Sequence, residues 1–294
     1  MSEYLIRGAT LSAIADAIRE KTGGTDQMTP EQMPTEISNI KSGDDGSFKD
    51  IIERKISNLT LPSDLTSIGS YAFYEYTNLA LTSLPSGLTS IGAYAFSGCT
   101  NLALTSLPSG ITSISNSTFN GCTKLALASL PSELTRIRKY AFSSCTNLAL
   151  TSLPSGVTSI ETYAFNRCTK LALTSLPSGI TVIESGSFYN CTNLALTSLP
   201  SGVTNISSYA FYECTNLALT SLPSGITNIS SYAFYHCTKL TSITFEGTPT
   251  TISNTAFVNC TNLATINVPW AEGEVAGAPW GAPKVTINYN YTGS

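Results

Sequence analysis

Residues 79–101 read LALTSLPSGLTSIGAYAFSGCTN, and the same frame returns every 23 residues along most of the chain. Leu79 to Leu84 is short and largely apolar, and Pro85-Ser86-Gly87 stops it, so this side of the unit reads as a strand followed by a turn. Leu88-Thr89-Ser90-Ile91 reads as a second extended segment with Leu88 and Ile91 turned inward. Ala95-Phe96-x-x-Cys99 has the spacing of one helical or 3₁₀ turn. A unit this small cannot bury its own apolar face. A fixed period of this length therefore marks a solenoid in which neighbouring coils bury one another.

The period holds without a slip in Phe73, Phe96, Phe119, Phe142, Phe165, Phe188, Phe211, Phe234 and Phe257. Coils starting at Ile56, Leu79, Leu102, Leu125, Leu148, Leu171, Leu194, Leu217, Leu240 and Leu263 follow from that register. Stacked about 4.8 Å apart, such coils form a long, regular strand face. Eight cysteines share the frame, each three residues after its Phe: Cys99, Cys122, Cys145, Cys168, Cys191, Cys214, Cys237 and Cys260. Spacing of i and i+3 points each inward beside its Phe, which favours reduced packing thiols over oxidised pairs or a metal set. Tyr76 stands at the first such position, which fits packing and not redox chemistry.

The pattern L-x-x-I-x-I-P-x-x-[VIL]-x-x-I-x-x-x-A-F-x-x-C-x-x over residues 56–269 resembles the BspA-type leucine-rich repeat. The resemblance implies a curved binding solenoid, often on bacterial or parasite surfaces, and no chemistry. The fold class expected is thus a repeat solenoid: BspA-type 23-residue coils of parallel β-strands with short helical or 3₁₀ turns, behind a small N-terminal helical module. Seven coils depart from the pattern. They place Thr82, Thr105, Ala128, Thr151, Thr174, Thr197 and Thr220 where an inward apolar residue belongs, and carry Leu81, Leu104, Leu127, Leu150, Leu173, Leu196 and Leu219 one position earlier. Either the strand bulges to turn these leucines inward, or they form an exposed apolar row.

Charge divides the chain near residue 56: residues 1–56 hold 17 of the 34 charged side chains. Leu11, Ile14, Ala15 and Ile18 share one helical face, and Thr29-Pro30-Glu31-Gln32 opens a second helix, so residues 1–40 read as a helical hairpin. Residues 41–46 read as a linker, 47–55 as a helix covering the solenoid end, 56–269 as the solenoid of about ten coils, and 270–294 as a C-terminal cap. Trp270 and Trp280 in that last segment suit capping more simply than ligand stacking. The stretch from Leu11 to Thr25 with Met28, Pro30, Met33, Pro34, Ile37 and Ile40 resembles a module at the start of phage and prophage tail-associated proteins of Gram-positive gut bacteria. An ordinary cap or oligomer contact is the alternative.

Chemistry is sparse. The chain has one histidine, His236, and no carboxylate pair or nucleophile motif at catalytic spacing, so no catalytic, cofactor or metal residues are assigned. A net charge of -4 without a basic run gives no nucleic-acid footprint, and no long apolar run supports membrane insertion or an export signal. The better candidates are tyrosines. Tyr71, Tyr94, Tyr140, Tyr163, Tyr209 and Tyr232 stand two residues before the ladder Phe, and Tyr74, Tyr189, Tyr212 and Tyr235 one after it. Ser117, Gly186 and Thr255 replace the first set, which points to partly exposed positions. Tyr94, Tyr140, Tyr163, Tyr209, Tyr232, Tyr212 and Tyr235 form the candidate surface for a protein or glycan receptor, unless each only covers a neighbouring coil edge. Residues 1–40 would then join other tail proteins, and the location expected is a virion or a bacterial cell surface.

Overall fold

The computed structural model describes residues 59–293, which form a parallel solenoid of 23-residue coils. The N-terminal hairpin, linker and covering helix expected over residues 1–55 lie outside these residues. One strand row is built from two-residue strands, among them Ser67–Ile68, Ser90–Ile91, Arg136–Ile137 and Asn228–Ile229. Isoleucine pairs with isoleucine one coil on, as in Ile68 with Ile91 and Ile206 with Ile229, and in every strand of this row the isoleucine is buried. Threonines lock the row from outside: Thr89 Oγ1 donates to the Thr66 carbonyl at 3.2 Å and Thr227 Oγ1 to that of Thr204 at 3.1 Å.

Strands at the start of each coil form only near the C-terminal end, where Ser221–Leu222, Ser242–Phe245, Thr265–Asn267 and Thr286–Asn288 make one parallel sheet. In the coils before them the ladder thins to isolated bonds such as Ala172 N–H to the Leu150 carbonyl at 3.0 Å. The cause is the displaced leucine. Leu104 and Leu107 are buried while Thr105 and Ser106 between them both face solvent, so two successive outward residues break the alternation a strand requires. All seven displaced leucines are buried and all seven residues that follow them are exposed. Of the two arrangements left open by sequence, the inward bulge is the one formed.

The Ala-Phe-x-x-Cys segment is not the helical or 3₁₀ turn its spacing predicts; no helix occurs among the described residues. Its N–H groups alternate in direction. Tyr94, Phe96 and Gly98 donate to Asn116, Thr118 and Asn120 of the next coil, while Ala95, Ser97 and Cys99 donate to Gly92, Tyr94 and Phe96 of their own. A helix would satisfy every donor internally and leave the coils unjoined, whereas this alternation shares each turn between closure and stacking. It also demands left-handed residues at two points per coil, such as Tyr94 (φ 59) and Gly98 (φ 77).

Inside, the nine phenylalanines form one stack with neighbouring centroids 5.1–5.8 Å apart and planes within 16°. The eight cysteines are free and buried. Each thiol donates to the Phe carbonyl of the preceding coil, from Cys99 to Phe73 at 2.9 Å through Cys260 to Phe234 at 3.0 Å. At the C-terminal end Trp270 and Trp280 are buried with Phe245, at centroid distances of 5.2 and 6.1 Å from it. The Trp280 carbonyl accepts the Phe257 N–H at 3.0 Å, continuing the ladder past the last Phe. Neither indole is open to stack a ligand.

Candidate functional site

Six tyrosines occupy the first left-handed position of the coil: Tyr71, Tyr94, Tyr140, Tyr163, Tyr209 and Tyr232, with φ between 55 and 60°. A non-glycine side chain adopts this conformation only against a steric cost, and inter-coil bonds hold it there, for example Tyr140 N–H to Thr162 at 3.1 Å and Tyr209 N–H to Ser231 at 3.1 Å. Each ring then meets the ring one coil on. Tyr140 stacks on Tyr163 at 5.3 Å and Tyr209 on Tyr232 at 5.5 Å.

A second row runs beside the first. Tyr189, Tyr212 and Tyr235 stack at 4.4 Å per step with planes 6 and 8° apart. Cross contacts join the rows: Tyr163 to Tyr189 at 6.3 Å, Tyr209 to Tyr212 at 5.9 Å and Tyr232 to Tyr235 at 5.9 Å. Tyr140, Tyr163, Tyr209, Tyr212, Tyr232 and Tyr235 thus share one aromatic surface, and Tyr189, absent from the candidate set, lies at its centre. Tyr94 belongs elsewhere. It stacks on Tyr71 at 4.8 Å and meets Tyr74 edge-on at 6.5 Å in a separate group nearer the N-terminus.

The second left-handed position is the signal that sequence reading passes over. It holds Glu75, Gly98, Gly121, Ser144, Arg167, Asn190, Glu213, His236 and Asn259, and the repeated Gly and Asn are the residues that tolerate this conformation. Their side chains rim the tyrosines: Asn190 Nδ2 donates to Glu213 Oε2 at 2.8 Å and Asn259 Nδ2 to the Tyr235 hydroxyl at 2.9 Å. Burial, followed by neighbouring Tyr189, Tyr235 and Glu213, pushes the Tyr212 hydroxyl up to about 12, and burial followed by Tyr140 raises that of Tyr163. Both therefore stay protonated donors near neutral pH. His236 lies 6.1 Å from the Tyr235 ring. Among the described residues, no group of three or more His, Cys, Asp or Glu could hold a metal ion, and no helix is long and apolar enough to cross a membrane.

Residues 41–172 and 170–274 match the profile of the family described as BspA type leucine rich repeat region. The chain belongs to the BspA-type leucine-rich repeat family. A BspA-type crystal-structure neighbour is a leucine-rich repeat protein from Bacteroides ovatus, 24% identical, with a TM-score of 0.53 over 77% of this chain and 64% of that one. That likeness is one of fold, and this chain spans less than two thirds of the Bacteroides protein. A leucine rich cell surface protein from Faecalibacterium prausnitzii is 27% identical with a TM-score of 0.40, covering 72% of this chain and 79% of that one. A Treponema pallidum (T. pallidum) leucine rich repeat protein is 25% identical with a TM-score of 0.37, covering 69% and 76%. No curated protein matches the chain.

Proposed function

We propose that this BspA-type protein is a non-catalytic recognition protein whose solenoid binds a surface receptor through the joined tyrosine rows. The observation that carries the reading is the single surface made by Tyr140, Tyr163, Tyr189, Tyr209, Tyr212, Tyr232 and Tyr235 on a hydrogen-bonded scaffold. Tyrosine supplies large contact area with few rotors to freeze, and here the stacking has already frozen them. The finer proposal is a phage or prophage tail-associated receptor-binding component, with residues 1–40 as the attachment piece; the resemblance of that segment to tail-associated modules supports it. A bacterial surface adhesin of the same family is the second reading, supported by the surface location printed for the Faecalibacterium protein alone.

Fluorescently labelled full-length protein incubated with a panel of Gram-positive gut bacteria and with cultured epithelial cells tests this. Adhesion to bacteria that falls in a Tyr140→Ser/Tyr212→Ser/Tyr235→Ser variant supports the tail reading, and adhesion to epithelial cells alone favours the adhesin. A folded protein that adheres to neither overturns the recognition role.

A further inference from the structure

The outer tyrosine row is interrupted twice inside the array, at Ser117 and Gly186, each replacing one ring in a stack that advances by 5.3–5.5 Å per step. A Cβ added to Gly186 would overlap the ring of Tyr163, so Tyr163 leans over the following coil. The next ring in the row, Tyr209, stacks onward onto Tyr232. Between Tyr163 and Tyr209 the row therefore lacks one ring. The space left is a slot about one flat ring thick, with an aromatic face on each side.

Solvent exposure shows the same interruptions independently. The large apolar side chains open to solvent are Tyr71 at 49%, Tyr140 at 40% and Tyr209 at 36%. Tyr140 follows Ser117, Tyr209 follows Gly186, and Tyr71 begins the described row. Their stacked partners Tyr94, Tyr163 and Tyr232 are less exposed. Each missing ring leaves the face of the next tyrosine open. The inner sides of the two slots differ: Tyr189 and Tyr212 flank the one at Gly186, while Asn120 and Ser143 hold the equivalent positions beside Ser117.

We propose that the two slots bind a neutral linear polysaccharide lying along the solenoid axis, with one pyranose ring between Tyr163 and Tyr209 and another between Tyr94 and Tyr140. This rests on the recognition role above and names its ligand class. A pyranose has two C–H faces and a rim of hydroxyls, so its faces match the open rings and its rim matches the phenol, amide and serine groups around them. An aromatic side chain from a protein would cover the faces but leave those polar groups without partners, a costly arrangement once water is excluded. Charge points the same way. Residues 59–293 carry nine acidic and eight basic side chains, too few and too balanced to draw a strongly charged polymer. The slots lie 69 residues apart in sequence, three coils along the axis. A chain long enough to enter both gains affinity by making the second contact intramolecular.

The test is affinity electrophoresis of the full-length protein in gels containing mixed-linkage β-glucan, glucomannan, xylan or a rhamnose-rich bacterial wall polysaccharide. At least one polymer retards the wild-type protein, and Tyr140→Ser and Tyr209→Ser each weaken that retardation by about tenfold in apparent affinity. Serine is chosen because Ser117 already holds this backbone conformation, at φ 52°, so the variants keep the fold, as an unchanged circular-dichroism melt would show. Oligosaccharides of the retarding polymer that reach across three coils bind more tightly than trisaccharides, and the double variant loses that difference. Retardation by none of the four polymers, or retardation indifferent to both serine variants, overturns the proposal. Adhesion to cells that survives periodate oxidation of their glycans but not protease treatment identifies a protein partner: the polysaccharide is then wrong and the recognition role stands. With no adhesion at all, both fall.

Discussion

Each cysteine does two jobs that the period alone does not separate. Its place in the frame shows that it packs beside a Phe; that its thiol also donates to the Phe carbonyl of the coil before, at 2.9–3.1 Å throughout the row, depends on where that carbonyl points. A repeat establishes equivalence between coils, not the direction of their unpaired backbone groups. Burial pushes the Cys99 and Cys260 thiols from 9.0 up to about 12 and the interior ones further. The folded state thus holds these protons more tightly than the unfolded chain does. Stability is fully present below pH 9.0, the ordinary thiol value, and declines as pH rises from there toward the folded value of about 12. Tyr212 adds to the decline above 10.0 in the same sense. Guanidinium midpoints should accordingly hold steady up to pH about 8.5 and drop beyond pH about 9.5. Ellman's reagent should find almost no reactive thiol in the native protein near neutral pH and all eight after denaturation. Fast native labelling would show that the row is not sealed.

The two extended segments of the coil were unequally readable. Leu88-Thr89-Ser90-Ile91 behaves as its pattern predicts, with Leu88 and Ile91 buried and Thr89 and Ser90 exposed. Leu79 to Leu84 offers two inward leucines at odd spacing, and periodicity cannot decide which residues the backbone will swing out. The structure decides it by exposing the Thr-Ser pair together. Tight-turn geometry was hidden for a related reason. The i, i+3, i+4 spacing of Ala, Phe and Cys suits a helix as well as a chain of turns, and the discriminating residues are the left-handed Gly and Asn that recur between Phe and Cys. The bulge makes a sharp claim about adjacent positions. Leu150→Ala should cost about 3–5 kcal/mol, since it empties a fully buried site, while Thr151→Ala, one residue on and exposed, should stay within about 0.5 kcal/mol. Denaturant melts of the two variants check this. Equal losses would mean that the leucine row is not the inward one.

Along the whole array, the sheet row breaks into runs of two, three and four strands, with gaps between Ile91 and Ser113 and between Ile160 and Val182. Both gaps fall where a tyrosine coil meets a coil carrying Ser117 or Gly186 in the outer row. The nine-Phe stack passes through them without interruption, so the core is continuous where the surface is segmented. Solenoid stability is close to a sum of coil and neighbour terms, which makes coil number adjustable in whole units only. Deleting residues 171–193 removes one coil in register and brings Tyr163 directly before Tyr209. The expected product is a folded protein with a slightly smaller m-value, because less surface is exposed on unfolding. Its outer row would run Tyr140, Tyr163, Tyr209, Tyr232 without a gap, so the open face of Tyr209 should be covered and the Gly186 slot lost. Deleting residues 171–181 instead puts every later Phe out of register and should abolish cooperative unfolding. If the 23-residue deletion retains full polysaccharide retardation in the Tyr140→Ser background, where only the Gly186 slot remains to be tested, the slot is not where the ligand sits.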